Sequence, residues 1–295
     1  MKLTLDKIHI RDPFILPDNK KYYLYGTRGS ANFGEAYGFD VYVSDDLEYW
    51  DGPTEIFKAS EDFWGTENFW APEVHKYRGR YYMLATFKSN KACRATQIFV
   101  SDTPVGPFRP ISDGPVTPRE WECLDGTLYV NKNGKPYMVF CREWLQVADG
   151  EIYAVPLTED LKETAGEPIL LIKASQPKWA DKDRKNYITD GPFLYRTEDG
   201  NLLMLWSSIA RGSYVEAVAY SDNGEITGNW KHCDKPLFKC DGGHGMIFED
   251  FNSEKYFVCH SPNVPPNEHP ILKKIEECKS AGGKECDSFF ILPPD

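Results

Sequence analysis

"TDGPFLYRTEDGNLLMLWSS", residues 189–208, decides the fold. A polar head, Asp190-Gly191-Pro192, opens a short apolar run. The turn residues "EDG" follow, and a second apolar run, "NLLMLW", comes back. Short β-type runs bounded by Gly, Asn, Asp and Pro read as an antiparallel hairpin. The pattern occurs four more times: "RDPFILPDNKKYYLYGT" from Arg11, "APEVHKYRGRYYMLAT" from Ala71, "LDGTLYVNKNGKPYMVFC" from Leu124 and "GHGMIFEDFNSEKYFVCHS" from Gly243. A third apolar run follows in the first four copies ("GFDVYVS", "TQIFVS", "EIYAVPL", "VEAVAYS"). Taken at the heads Asp12, Glu73, Asp125, Asp190 and His244, the units return every 52 to 65 residues.

Three or four antiparallel strands at such a period make a propeller blade. The sequence therefore predicts an all-β chain folded as a single domain over residues 1–295, a five-bladed β-propeller with blades starting near residues 11, 70, 123, 187 and 242. A β-sandwich would account for the turns, but not for a polar head at the same place in each unit. The tail "KSAGGKECDSFFILPPD" is expected to return the strand "FFIL" to close the last blade against the N-terminal segment.

A formal charge of -11 over 295 residues argues against nucleic acid or an anionic membrane as partner. No apolar run reaches the length of a membrane span. The eight cysteines form no CxxC pair and no zinc-like cluster. Reduced, buried thiols are the expectation, with Cys278 and Cys286 as a candidate pair if the protein is exported. The start "MKLTLDKIHI" has no long uncharged core of a secretory signal. The expectation is a cytoplasmic protein, or an exported one whose signal has been removed.

The first strand of each propeller blade lines the central channel, so the five heads converge on one end of it. Four carboxylates and an imidazole in one cleft shift each other's pKa values, and such clusters persist mainly where a function uses them. Glycoside hydrolysis needs one carboxyl group as acid for the leaving oxygen and another as base or nucleophile. A third nearby carboxylate can hold the acid's proton near neutral pH. Trp64, Phe69, Trp70, Trp144 and Trp179 lie near heads or in loops, where rings stack on sugars, and Trp70 is favoured by its place beside the second head. Arg11, Arg94, Arg142 and Arg211 are candidates to bond sugar hydroxyls. Arg11 and Arg142 lead, because they adjoin candidate catalytic positions.

"RDPFI", "WAPEV", "LDGTLYVNKNGKPYMVF", "DGPFLYRTEDGNLLMLWSS" and "GGHGMIF", in that order, resemble glycoside hydrolase family 43 over nearly the whole chain. The resemblance implies an inverting hydrolase of α-L-arabinofuranosides or β-D-xylosides acting on an oligosaccharide or a polysaccharide side chain. It implies Asp12 as general base and Asp125 as the residue that tunes the acid. It places the acid at the head of blade four. There the family has Glu-Gly-Pro and this chain has Asp190-Gly191-Pro192, one methylene shorter, so Glu143 in "FCREWLQ" is the alternative acid. Glu73, a third candidate acid, is assigned to substrate binding with Arg11, Trp70, Arg142 and Trp144. His244 resembles the blade-five histidine beside a channel ion, which implies a structural calcium held through water. Without a further module, a terminal residue or short oligosaccharide is the expected substrate. A carbohydrate-binding propeller without catalysis, or a glycoside phosphorylase on the same fold, are the alternatives. The second would need an Arg/Lys/His cluster for phosphate, and the heads here are acidic.

Overall fold

The computed structural model describes residues 2–29, 37–277 and 289–291. Twenty strands form five antiparallel four-stranded sheets, each in simple sequence order. Blade one holds β1 (Ile10–Asp18), β2 (Lys21–Arg28), β3 (Gly38–Ser44) and β4 (Trp50–Lys58). Blade two holds β5 (Glu67–Tyr77), β6 (Arg80–Ser89), β7 (Ala92–Ser101) and β8 (Arg109–Pro110). Blade three holds β9 (Cys123–Val130), β10 (Pro136–Arg142), β11 (Glu151–Pro156) and β12 (Ile169–Lys173). Blade four holds β13 (Asp190–Arg196), β14 (Leu202–Ala210), β15 (Ser213–Ser221) and β16 (Trp230–His232). Blade five holds β17 (Gly243–Glu249), β18 (Lys255–Ser261), β19 (His269–Glu277) and β20 (Phe290–Ile291).

The inner strands β1, β5, β9, β13 and β17 touch in that cyclic order, and β17 returns to β1. The protein is a single-domain five-bladed β-propeller. The tail segment completes blade five as its own outer strand, β20 on β19, while the N-terminal turn Leu5–Lys7 packs on β19.

The second strand of each blade explains why the apolar runs do not alternate with polar residues. Successive side chains on a strand point to opposite faces, and here both faces are covered. Leu202, Met204 and Trp206 of β14 pack toward blade three with Val139 and Cys141. Leu203 and Leu205, one step out of phase, pack toward blade five with Ile247 and Phe257. In β10, Met138 and Phe140 turn instead toward Leu84 and Ile98 of blade two. Each such side chain contributes roughly 1.5–3 kcal/mol on burial, so the faces between blades hold the ring closed.

Every inner strand carries a β-bulge at the same place. Asp12-Pro13, Ala71-Pro72, Asp125-Gly126, Gly191-Pro192 and His244-Gly245 each oppose a single residue of the neighbouring strand. The first residue of each pair has a left-handed backbone, with φ of 54, 46, 56, 51 and 52°. Asp and His tolerate that region better than most side chains. Gly191 is required: a Cβ there would lie 2.6 Å from the His244 ring.

The bulges correct the heads expected from sequence. Asp12, Asp125 and His244 are bulge residues, but blade two uses Ala71, two positions before Glu73. Blade four uses Gly191, one position after Asp190. A bulge is defined by a lost pairing and not by side-chain polarity, and Ala71 and Gly191 carry nothing polar to mark them.

Candidate active site

The residue before each bulge pairs with the second strand: Arg11 with Thr27, Trp70 with Thr86, Leu124 with Cys141, Asp190 with Ser207 and Gly243 with His260. The four of these that carry side chains line one cavity of about 380 Å³, together with the bulge residues Asp12, Asp125 and His244. Glu143, Trp144, Ile188 and Tyr214 complete the wall.

The paired residues of the second strands hold the bulges across blade boundaries. Asp12 N donates to His260 Nδ1 at 3.2 Å, Ala71 N to Thr27 Oγ1 at 2.7 Å, Asp125 N to Thr86 Oγ1 at 2.9 Å, and His244 N to Ser207 Oγ at 2.7 Å. At the remaining junction the equivalent residue is Cys141, a weak acceptor. There Gly191 N donates instead to Asp125 Oδ2 at 2.9 Å. The backbone strain of the five bulges is thus held by one repeated amide contact.

Asp12 is buried and well supplied with partners. Thr27 Oγ1 donates to its Oδ2 at 2.5 Å, and His244 Nδ1 lies 3.1 Å and Arg11 Nε 3.9 Å from Oδ1. Burial raises its pKa, but the His244 and Arg11 charges outweigh that and hold the carboxyl well below the usual range. Asp125 differs. Burial, with Asp190 and Asp12 nearby, pushes it up to about 7 against the pull of His244, 3.7 Å away. Asp190 accepts from Tyr214 Oη at 3.1 Å and is also raised, chiefly by burial. Glu143, the N-cap of α1 (Trp144–Val147), is raised by burial while its Oε2 forms a closing ion pair with Arg94 Nη1. Arg94 also bonds Asn68 Oδ1 and lies 4.6 Å over the Trp70 ring. One arginine therefore braces both Glu143 and Trp70.

Of the residues assigned to substrate binding from sequence, Arg11, Trp70 and Trp144 line the cavity. Glu73 and Arg142 do not. Glu73 is buried beside His75, with Oε2 2.9 Å from Nε2, because it stands just past the Ala71-Pro72 bulge, farther from the cavity along β5. Arg142 turns away to lie 4.1 Å over Trp121 and bonds Gln146. Trp64 bonds Gln97, Phe69 is core, and Trp179 stacks on Trp206. The described cysteines form no disulfide with one another, and Cys278 and Cys286 lie outside the described residues.

Sequence reasoning missed Tyr214, His260 and Thr27. Tyr214 carries the Asp190 contact, and His260, fully buried, stacks on the Tyr214 ring. The available signal was the second-strand position of each repeat, where Thr27, Thr86, Ser207 and His260 recur.

Calcium would require oxygen ligands. Among the described residues no three His, Cys, Asp or Glu side chains gather to hold a metal. His244 Nδ1 is taken by Asp12 and Asp125, leaving buried Nε2 without a hydrogen-bond partner among the described residues. Because the imidazole is charged beside Asp12, Nε2 carries a proton and can donate to a water but cannot ligate calcium itself, so His244 fits such an ion only through water.

The sequence profile of glycosyl hydrolases family 43 matches residues 7–277, from the end of the N-terminal turn to the end of β19. The chain belongs to glycosyl hydrolases family 43. The crystal structure of an endo-arabinase from Bacteroides thetaiotaomicron VPI-5482 superimposes with a TM-score of 0.86 and 41% identity, covering 96% of this chain and 98% of that one. Two curated relatives are xylosidase/arabinosidase 43A of Humicola insolens, 25% identical over 156 residues, and extracellular endo-alpha-(1->5)-L-arabinanase 1 of Bacillus subtilis (strain 168), 24% identical over 148 residues. These matches cover 49% and 46% of this family 43 chain, and 47% and 44% of the relatives, so the aligned segments span about half the length of each.

Proposed function

We propose that this family 43 protein is an inverting hydrolase of α-L-arabinofuranosyl linkages in plant-type oligosaccharides or polysaccharides. The observation that carries the reading is the division of the cavity's carboxyl groups into two kinds. Asp12 is held ionised by His244 and Arg11, while Asp125 and Asp190 are pushed toward their protonated forms. That separation is what acid–base hydrolysis needs. Arabinose is preferred over xylose because the 41%-identical relative, matched over nearly its whole length, is named an endo-arabinase.

In this reading Asp12 takes a proton from water as the water oxygen attacks the anomeric carbon. Asp190 gives its proton to the leaving oxygen as the glycosidic bond breaks. Asp125 fixes the peptide next to Asp190 through its bond to Gly191 N, while burial and the mutual repulsion of the two carboxyl groups keep a proton in the pair. Tyr214 orients the Asp190 carboxyl. Burial raises both Asp190 and Glu143, and Asp190 is preferred as acid because the Arg94 ion pair of Glu143 opposes that rise. Trp70 and Trp144 supply flat apolar walls for the sugar rings. An ion near His244 would be structural, and no step passes through it.

The test is an aryl-glycoside panel led by α-L-arabinofuranoside and β-D-xyloside, followed by linear arabino-oligosaccharides. Turnover of the arabinofuranoside, abolished in Asp12→Ala, is expected, and the product lengths separate internal from terminal cleavage. Silence across the panel and the oligosaccharides from a folded protein would overturn the reading in favour of a binding propeller.

A further inference from the structure

β15 separates two cavities. Tyr214 faces the catalytic one, while its neighbours Ser213 and Val215, pointing to the opposite face as strand alternation requires, line a second cavity of about 460 Å³. The far wall of the second cavity comes from the segment joining blades three and four. That segment places Trp179 there and Ile188 in the catalytic wall. The β14–β15 turn, with Arg211, lies beyond Ser207, which pairs with Asp190, so the cavity stands at the catalytic end of the propeller.

Its chemistry is opposite to that of the molecule. The chain carries a net charge of -11, yet Lys178, Arg211, Lys235 and Lys239 line this cavity against one carboxylate, Asp234. Lys178 is paired with Asp234 at 3.0 Å. The Arg211 guanidinium and the Lys239 ammonium have no ion pair among the described residues, Arg211 meeting Asp181 only through its backbone N. Trp179, half-buried on Trp206 with ring centroids 5.5 Å apart, adds a flat apolar wall. Cations beside an aromatic ring match a ring that carries a carboxylate.

We propose that this cavity is a second carbohydrate subsite that binds a uronate, the carboxylate-bearing sugar of an acidic glycan, with Arg211 and Lys239 on the carboxylate and Trp179 against the ring. The inference rests on the glycan-hydrolase reading for its relevance to substrate, since the two cavities flank one strand and a branched glycan could occupy both. Its binding chemistry stands apart from catalysis.

Calorimetric titration with trigalacturonate tests it, with free galacturonate, a neutral trisaccharide and inorganic phosphate as comparisons. Trigalacturonate is expected to bind and to weaken about tenfold or more in Arg211→Ala/Lys239→Ala, as loss of charge-assisted contacts implies. Binding should also weaken as ionic strength rises from roughly 0.05 to 0.5 M. Free galacturonate binding comparably would place recognition in one ring, and weaker binding would place it in a chain; both support the subsite. No binding by the intact protein, equal binding by the neutral trisaccharide or phosphate, or an unchanged double variant would overturn it. The double variant should hydrolyse an aryl arabinofuranoside at the unaltered rate. Trigalacturonate binding without any glycoside turnover would sink the hydrolase reading alone. Turnover without trigalacturonate binding would sink only this one.

Discussion

The junction between blades two and three and the junction between blades three and four share one plan and end differently. In the first, Thr86 of β6 accepts the Asp125 amide, so the bond is spent on backbone alone. In the second, Cys141 occupies the matching place and the Gly191 amide goes to the Asp125 carboxylate. The propeller repeats a strained bulge five times, and a change of one acceptor redirects a donor into the cavity. The junction between blades one and two shows an intermediate form, in which Thr27 accepts the Ala71 amide and donates to Asp12. Where a junction reaches a carboxylate, structure and chemistry are joined.

The largest expected effect breaks that link at Asp12. Asp12→Asn keeps the Thr27 contact but removes the base, and turnover should fall by about 10³-fold, within the range for a lost general base, with the circular dichroism spectrum unchanged. A variant with near-normal rates would end the assignment.

Next comes the acid, where blades three and four both present a carboxyl. Asp190→Asn should cut hydrolysis of unactivated arabinofuranosides by about 10²-fold or more, and much less for aryl substrates whose leaving group needs no proton. Glu143→Gln should weaken both substrates alike, because its buried partner Arg94 is left uncompensated behind Glu143 and Trp70. The reverse pattern would move the acid to Glu143.

A smaller effect tests the contrast between the two junctions directly. Cys141→Thr supplies the hydroxyl that Thr86 supplies next door, so it competes for the Gly191 amide. We expect kcat to fall about tenfold with KM little changed, the scale of one lost charge-assisted hydrogen bond. Cys141→Ala, which offers no acceptor, should leave kcat nearly intact. Equal rates in the Thr variant and the parent protein would show that the Asp125 bond to Gly191 is incidental.

The last concerns the junction of blades five and one, where the acceptor is His260. Its Nδ1 takes the Asp12 amide and so must be unprotonated, and burial with Arg11 nearby holds its pKa down to about 3. The unfolded chain takes up this proton near pH 6.5 while the folded one does not, so stability falls as pH drops through and below that value. The loss from this group should be on the order of 3 kcal/mol by pH 4. Denaturant melts of His260→Gln at pH 7 and pH 4 should show a shallower acid loss than the parent. An identical slope would mean the imidazole is free to protonate.

Much of the molecule was legible in the sequence. Turn residues between apolar runs and a repeating head are local features, and they sufficed for five blades. Asp12, Asp125 and His244 were recognisable because the bulge falls on residues whose side chains are themselves polar. Glu73 shows the limit: polarity marked the wrong register in blade two, where the strained residue is Ala71, whereas Asp190 stands one position before the strained Gly191 and still lines the cavity. The same limit applies to Arg142, whose neighbour Glu143 faces the cavity while it stacks on Trp121.

What the sequence by itself determined is the set of units: hairpins of short apolar strands, in sufficient number to close a ring. That information is local, carried by residues within a few positions of one another. Only the tertiary structure decided which side chains meet. Asp12 touches His260 and Asp125 touches Gly191 across blade boundaries, 248 and 66 residues apart. Such contacts depend on the angle at which five sheets close, and that angle is set by the packing of all their faces together.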